Sequence, residues 1–327
     1  LTQTTKAEFT VNRDTLTPLL TALDAGTRLQ RIPAFLRPPE LQADVMTALA
    51  QGVYWVREKN RLEGHTDLVD AVAFSPKAGT LASASHDGSV KLWSSSGQPM
   101  PVELIHDDRV LGVDFSHDGQ LLASSSADGV VKLWTKEGQL IGSPISAHDG
   151  FAFSVRFNSA IDILASAGAD GKVKLWTFQG DNKRSFTAHQ KTIREIDFSA
   201  DGLTIATASD DDTVGLWDLF GNAKVGSPLT GHQAGVNSVR FSPDQQWLAS
   251  GSDDGSVRLW TSTGKFDKAL NSGDGSGVWR VAFSPDSQYI AAALDSGAIE
   301  VWYINGNRLA TLRGHATRVK GISFSPD

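Results

Sequence analysis

Gly231-His232-Gln233-Ala234-Gly235-Val236-Asn237-Ser238-Val239-Arg240-Phe241-Ser242-Pro243-Asp244, continuing through Trp247-Leu248-Ala249-Ser250 and Asp253-Asp254-Gly255 to Val257-Arg258-Leu259-Trp260, is the stretch from which the rest of the chain can be read. Apolar and polar residues alternate from Val236 to Phe241, a Ser-Pro-Asp turn follows, and two further apolar runs are separated by Asp-Asp-Gly. Short β-branched and aromatic runs bounded by Pro, Asp and Gly are strands joined by tight turns. The polar residues before the next such unit supply a fourth, outer strand. Trp260 also belongs to a grid: Trp93, Trp134, Trp176, Trp217, Trp260 and Trp302 follow one another at 41, 42, 41, 43 and 42 residues. That period is too long for one hairpin and suits a four-stranded sheet, which cannot bury both faces alone and must stack on its neighbours.

These features resemble the WD40 repeat family, whose units carry Gly-His near the start and Trp-Asp near the end; the resemblance covers about residues 60–327 and recurs six times. The match departs at the Asp. Only Trp217 is followed by one, at Asp218, whereas Ser94, Thr135, Thr177, Thr261 and Tyr303 follow the other tryptophans. The resemblance implies an all-β WD40 β-propeller. Gly314-His315 opens a seventh unit that stops at Phe324-Ser325-Pro326-Asp327, just after its first strand. At the other end Gly52-Val53-Tyr54-Trp55-Val56-Arg57 and Asn60-Arg61-Leu62-Glu63-Gly64-His65 read like the tail of a unit, matching Val301-Trp302-Tyr303 and Asn307-Arg308-Leu309. A ring must pair its sheet edges. Seven blades are therefore expected, the last incomplete, with the strand near Asn60-Arg61-Leu62 either beside the strand of Val319 to Phe324 or leaving a gap where two strands are missing.

A short α-helical segment is expected over residues 1–52, ahead of the propeller at 53–327. Asp14 is a candidate N-cap, Pro18 falls in the expected first turn, and Leu16, Leu19, Leu20 and Leu23 would share a helical face. After Pro33, Pro38 and Pro39, residues Leu41, Val45, Leu49 and Val53 recur at spacing four, giving an α-hairpin. The run from Val45 to His65 resembles the segment that precedes WD40 repeats in large bacterial, especially cyanobacterial, signal-transduction proteins with an upstream NTPase module. No phosphate-binding loop lies within the 327 residues: Gly171-Lys172 and Gly264-Lys265 lack the upstream Gly and the following Ser or Thr.

Composition narrows the function classes. With 37 acidic and 30 basic residues the formal charge is −7, which offers no basic field for a nucleic-acid backbone. There is no cysteine, so neither a disulfide framework nor a thiolate zinc site exists, as suits a reducing, cytoplasmic setting. No apolar run has the length of a membrane span.

Five units carry a set of four residues: His65, Ser83, Asp87, Trp93; His106, Ser124, Asp128, Trp134; His148, Ser166, Asp170, Trp176; His189, Thr207, Asp211, Trp217; and His232, Ser250, Asp254, Trp260. Read alone, each suggests a Ser-His-Asp triad. Repetition argues otherwise, because an active site is built once and a packing device once per repeat. The family resemblance implies a buried hydrogen-bond chain from Trp Nε1 through hydroxyl and imidazole to carboxylate. The sixth unit has Gly273-Asp274, Ala292 and Ser296 at the corresponding places and keeps only Trp302, so it is expected to be the softest. No histidine pair has metal-ligand spacing, and Asp210-Asp211-Asp212 lacks the twelve-residue calcium pattern ending in Glu. No metal or cofactor is expected.

The resemblance also places a partner-binding face. Its positions are Leu68, Asp70, His86; Arg109, Leu111, Ala127; Phe151, Phe153, Ala169; Thr192, Arg194, Asp210; Gly235, Asn237, Asp253; Gly277, Trp279, Asp295; and Arg318, Lys320. Aromatic and Arg residues dominate interface hot spots, which singles out Arg109, Phe151, Phe153, Arg194 and Trp279, with Lys320 beside them. The expectation is a non-catalytic scaffold or sensor that binds a protein or peptide, with an acidic element favoured, inside a larger signalling protein. The alternative is an enzyme with its active site at the central channel. That alternative needs a singular cluster of titratable groups, and none is legible among the repeats.

Overall fold

The structure is a computed structural model that describes residues 62–77 and 79–324. The chain divides into a unit of Leu1–Glu63 and a unit of Gly64–Asp327. The expected α-hairpin, the 52/53 boundary and the residues Asn60 and Arg61 lie outside the described residues.

Among its described residues the second unit has six antiparallel sheets, each formed by consecutive strands. In the fifth, Val236–Phe241, Trp247–Ser252, Ser256–Thr261 and Phe266–Asn271 pair in that order from the innermost to the outermost strand. Two turn devices set the register. Ser242 Oγ donates to Asp244 at 2.6 Å and accepts the Trp247 amide at 2.9 Å, closing the first turn. Gly255 closes the second at φ +80, a left-handed conformation that a side chain would strain. The outer strand is the irregular one. In the second sheet it shrinks to Ile145–Ser146, and in the fourth it is replaced by bridges Trp217–Ala223 and Val214–Leu229. An outermost strand has no further ladder to satisfy, so irregularity costs least there.

Neighbouring sheets bury their facing surfaces against each other. Between the fifth and sixth, Val257 and Leu259 meet Val281, Ile290 and Trp302; between the third and fourth, Val173 and Leu175 meet Ile196 and Ile205. Five such clusters fill the five interfaces between consecutive sheets. Burial of stacked faces is the dominant favourable term, about 25 cal/mol per Å² of apolar surface.

The innermost strands Val69–Phe74, Val110–Phe115, Ala152–Phe157, Ile193–Phe198, Val236–Phe241 and Val278–Phe283 pack in sequence, and residues 319–322 stand between the last and the first. The Val319 amide donates to Leu294 O at 3.2 Å, and Gly321 lies against the backbone of Asp70 to Val72. Phe74, Phe115, Phe157, Phe198, Phe241, Phe283 and Phe324 thus line one cavity.

Candidate functional site

Every innermost strand carries a β-bulge at the same place. The ladder skips Asp70, Leu111, Phe153, Arg194, Asn237 and Trp279. A bulge inserts one unpaired residue and re-aims its side chain. Here two consecutive residues of one strand turn toward the axis, the first at the channel mouth and the second inside it. Sixteen residues after the bulge, at the end of the second strand, comes a partner: His86 bonds Asp70 at 2.8 Å, Arg194 holds Asp210 at 2.7 and 2.8 Å, Asn237 donates to Asp253 at 2.6 Å, and Trp279 Nε1 donates to Asp295 at 2.5 Å. In the second and third blades the corresponding pairs are apolar, Leu111 with Ala127 and Phe153 with Ala169. The mouth therefore has an apolar sector and a hydrogen-bonded one.

All six residues singled out in the sequence, Arg109, Phe151, Phe153, Arg194, Trp279 and Lys320, line a single concavity of about 210 Å³. Phe151 is 38% exposed and stands edge-on to Phe153 with centroids 5.5 Å apart. The Arg109 guanidinium lies 5.2 Å from the Phe151 ring, Arg194 4.7 Å from Phe153, and Arg318 4.1 Å from Trp279. Such contacts orient both partners and contribute about 0.5–1 kcal/mol at exposed sites. Lys320 pairs with Asp70 at 2.6 Å, and Arg318 pairs with Asp295. Arg280 is part of the lining, so Arg109, Arg194, Arg280 and Lys320 converge on a cavity lined by one carboxylate, Asp70. Asp210 and Asp295 grip Arg194 and Arg318 from outside that lining.

Below the mouth the channel holds a cluster that the sequence reading did not find. Glu195, fully buried, accepts from Arg156 at 3.2 Å, Ser238 Oγ at 2.5 Å and the Val239 amide at 3.1 Å, and forms ion pairs with Arg240 at 2.5 Å and Arg280 at 2.6 Å. Arg156 also lies between Asp114 at 3.9 Å and Asp197 at 4.0 Å. Burial pushes the Asp197 carboxyl up to about 7 against the pull of Arg156, and Asp114 rises for the same reason. Asp114 and Asp197 accept the Phe157 and Phe241 amides of the next blade at 2.8 Å each. Those amides lie on the axis-facing edge of the innermost strands, where no ladder reaches them. The expectation of no singular titratable cluster is thus corrected. Its signal was present: aligned by repeat, these positions elsewhere hold Ala71, Gly112, Ala73 and Ala282.

The four-residue sets have the following geometry. In the first blade Trp93 Nε1 donates to Ser83 Oγ at 2.8 Å, Ser83 lies 2.7 Å from His65 Nε2, and His65 Nδ1 lies 2.8 Å from Asp87. Three further blades repeat it, through Ser166, His148 and Asp170; Thr207, His189 and Asp211; and Ser250, His232 and Asp254. Each donor finds one acceptor when Nδ1 carries the proton. Burial opposes the charge on Asp211, yet bonds from His189 and Thr213 hold its carboxyl down to about 2.

The second blade departs from the expected set. Trp134, Ser124 and His106 are linked at 2.8 and 2.6 Å, but Asp128 accepts the Val130 amide and His106 Nδ1 has no partner. Val130 stands where Ser89, Thr213 and Ser256 give a hydroxyl to the carboxylate in the first, fourth and fifth blades, and Asp107 adds negative charge beside the imidazole. Burial, helped by Lys132, pulls His106 down to about 4. In the sixth blade Glu300 substitutes for the missing pair: buried, it accepts the Gly273 amide at 3.0 Å and pairs with Arg308 at 3.3 Å.

Among the described residues no group of three or more His, Cys, Asp or Glu is arranged to hold a metal ion, and no helix is long and apolar enough to cross a membrane.

Comparison with known proteins agrees with this architecture. Residues 112–327 match the family described as the IFT122 first beta-propeller, and residues 57–94 match the WD domain, G-beta repeat. An uncharacterized WD repeat-containing protein of Synechocystis, slr0143, is 34% identical over 99 residues, which is 29% of this chain and 8% of that protein. The chain thus matches a small part of the length of that relative. With six stacked antiparallel sheets and the family match spanning about two thirds of its length, the chain belongs to the WD40-type β-propeller family described as the IFT122 first beta-propeller.

Proposed function

We propose that the narrow mouth of the propeller binds a protein or peptide partner through an acidic element, and that the domain acts as a non-catalytic recognition part of a larger signalling protein. The observation that carries this reading is the composition of the cavity: four basic groups face one carboxylate, between the aromatic walls Phe153 and Trp279. Each of the four also has an acid of its own chain beside it, Asp108 for Arg109, Asp210 for Arg194, Glu195 for Arg280 and Asp70 for Lys320, so an acidic element docks by sharing these pairs, which fixes its orientation. The arginines are already held by stacked rings and by outer carboxylates, so little side-chain entropy is lost when a partner docks. Seven blades, with residues 318–324 as the innermost strand of the last, fit the seven phenylalanines around the opposite mouth.

A second reading, an enzyme at the channel, has the singular ion network in its favour. Its carboxylates and guanidiniums are engaged with one another, however, and the hydroxyl bonded to Glu195, Ser238, is fully buried and receives the Val281 amide at 3.0 Å. Ser238 lines the cavity at neither mouth. Affinity capture from the native host, repeated with Phe151 and Arg194 both changed to Ala, tests the recognition reading. Partners retained at full strength by the double variant move the binding face elsewhere.

A further inference from the structure

The opposite, wide mouth of the channel encloses a cavity of about 530 Å³ rimmed by the phenylalanines that end the innermost strands. One layer inside that rim, successive strands contribute Ala73, Asp114, Arg156, Asp197, Arg240, Ala282 and Ser323. Four charges of alternating sign occupy one side of the circumference, and three small residues occupy the other. The small side chains of Ala282, Ser323 and Ala73 leave room on their side of the cavity, with Arg240 at one end and Asp114 at the other. Both boundary groups reach that volume, with side chains 22% exposed for Asp114 and 21% for Arg240.

Neither boundary charge is fully matched. Asp114 accepts the Phe157 amide, and its nearest cation, Arg156 at 3.9 Å, is shared with Asp197 and Glu195. Arg240 divides its carboxylate, Glu195, with Arg156 and Arg280. A partly buried charge without a dedicated partner is costly, and a ligand charge of opposite sign removes that cost. The cavity also has the volume of small-molecule sites, and its lining joins an aromatic rim to a layer of charged groups.

We propose that this sector is a binding site for a small zwitterion with an aromatic or apolar body, such as an aromatic α-amino acid. Asp114 receives the ammonium, Arg240 the carboxylate, and the phenylalanine rim the body. A simple cation meets Arg240 and a simple anion meets Asp114, so each loses one contact and gains a repulsion. The site is independent of the narrow mouth, and either can fail alone.

The test is titration of the full 327-residue chain with L-phenylalanine, phenethylamine and 3-phenylpropionate, followed by NMR of labelled phenylalanine rings. Phenylalanine is expected to shift the resonances of Phe74, Phe115, Phe283 and Phe324, and each analogue to bind about tenfold or more weakly, the value of one charged contact. Asp114→Asn should abolish the preference for phenylalanine over 3-phenylpropionate, and Ala282→Leu, which fills the sector, should abolish binding of all three. Should either variant not fold, the ligand series on the unaltered chain decides. No shift by about 10 mM phenylalanine, equal binding of the three compounds, tightest binding of either analogue, or a folded Asp114→Asn that keeps the preference overturns the proposal.

Discussion

Arg194 and Glu195 are consecutive in the chain, yet both side chains turn toward the propeller axis, Arg194 to Asp210 at the narrow mouth and Glu195 to Arg240 and Arg280 inside the channel. A regular strand would send them to opposite faces. The bulge that the ladder makes between Ile193 and Glu195 removes that constraint, and its recurrence in all six blades gives the channel two layers of side chains where a plain strand would give one.

Glu195 is the anion on which three arginines depend. Its replacement by Gln is expected to destabilise the fold by about 3–5 kcal/mol, the usual cost of breaking a buried ion network from one side. Urea unfolding monitored by tryptophan fluorescence measures it; a loss under about 1 kcal/mol would mean that water already screens the channel.

The stability of the domain should show two opposing pH dependences that reveal themselves only in variants. Asp197 is raised from the usual 3.8 to about 7, so its contribution is complete below pH 3.8 and is lost as pH rises to about 7. His106 is lowered from 6.5 to about 4, so its contribution is complete above pH 6.5 and is lost as pH falls to about 4. With Asp114 and Asp197 both changed to Asn, unfolding free energy should rise with pH between about 4 and 6.5. With His106 changed to Gln it should fall as pH rises from about 4 to about 7. Slopes approach 1.4 kcal/mol per pH unit, and identical profiles for the two variants would refute the assignment.

Val130→Thr should repair the second blade. The new hydroxyl is placed to hold Asp128 as Thr213 holds Asp211 at 2.6 Å, and His106 Nδ1 would gain its acceptor. The expected result is a gain of about 0.5–1.5 kcal/mol, one hydrogen bond's worth, with the His106 pKa rising from about 4 in an NMR titration. Val130→Ala serves as the control and should move neither.

Truncating the complete sets should cost more than truncating the mouth. Trp176→Ala removes a large buried ring and should cost about 3–5 kcal/mol, whereas Phe151→Ala with Arg194→Ala should leave the melting curve nearly unchanged while weakening the partner by about 2–4 kcal/mol, as for central hot spots. Calorimetry of the variants, alone and with the captured partner, separates the two.

The sequence by itself determined the repeat and the strands and turns of each blade, because each depends on periods and turn chemistry that act within about forty residues, whereas the residues of the narrow mouth came from the family that those repeats resemble. The same local rules marked His106 and Asp128 as members of a set, yet only the fold showed them parted: in the third blade Asp149 also follows the His and Lys172 stands in the hydroxyl's place, and His148 still meets Asp170 at 2.9 Å. The channel network was decided by tertiary structure alone. Arg156, Glu195, Arg240 and Arg280 lie on four different strands spread over more than a hundred residues, and a one-residue bulge in each strand brings them to one axis. No local pattern encodes that convergence, because it is the stacking of whole sheets that sets which side chains face each other across the channel.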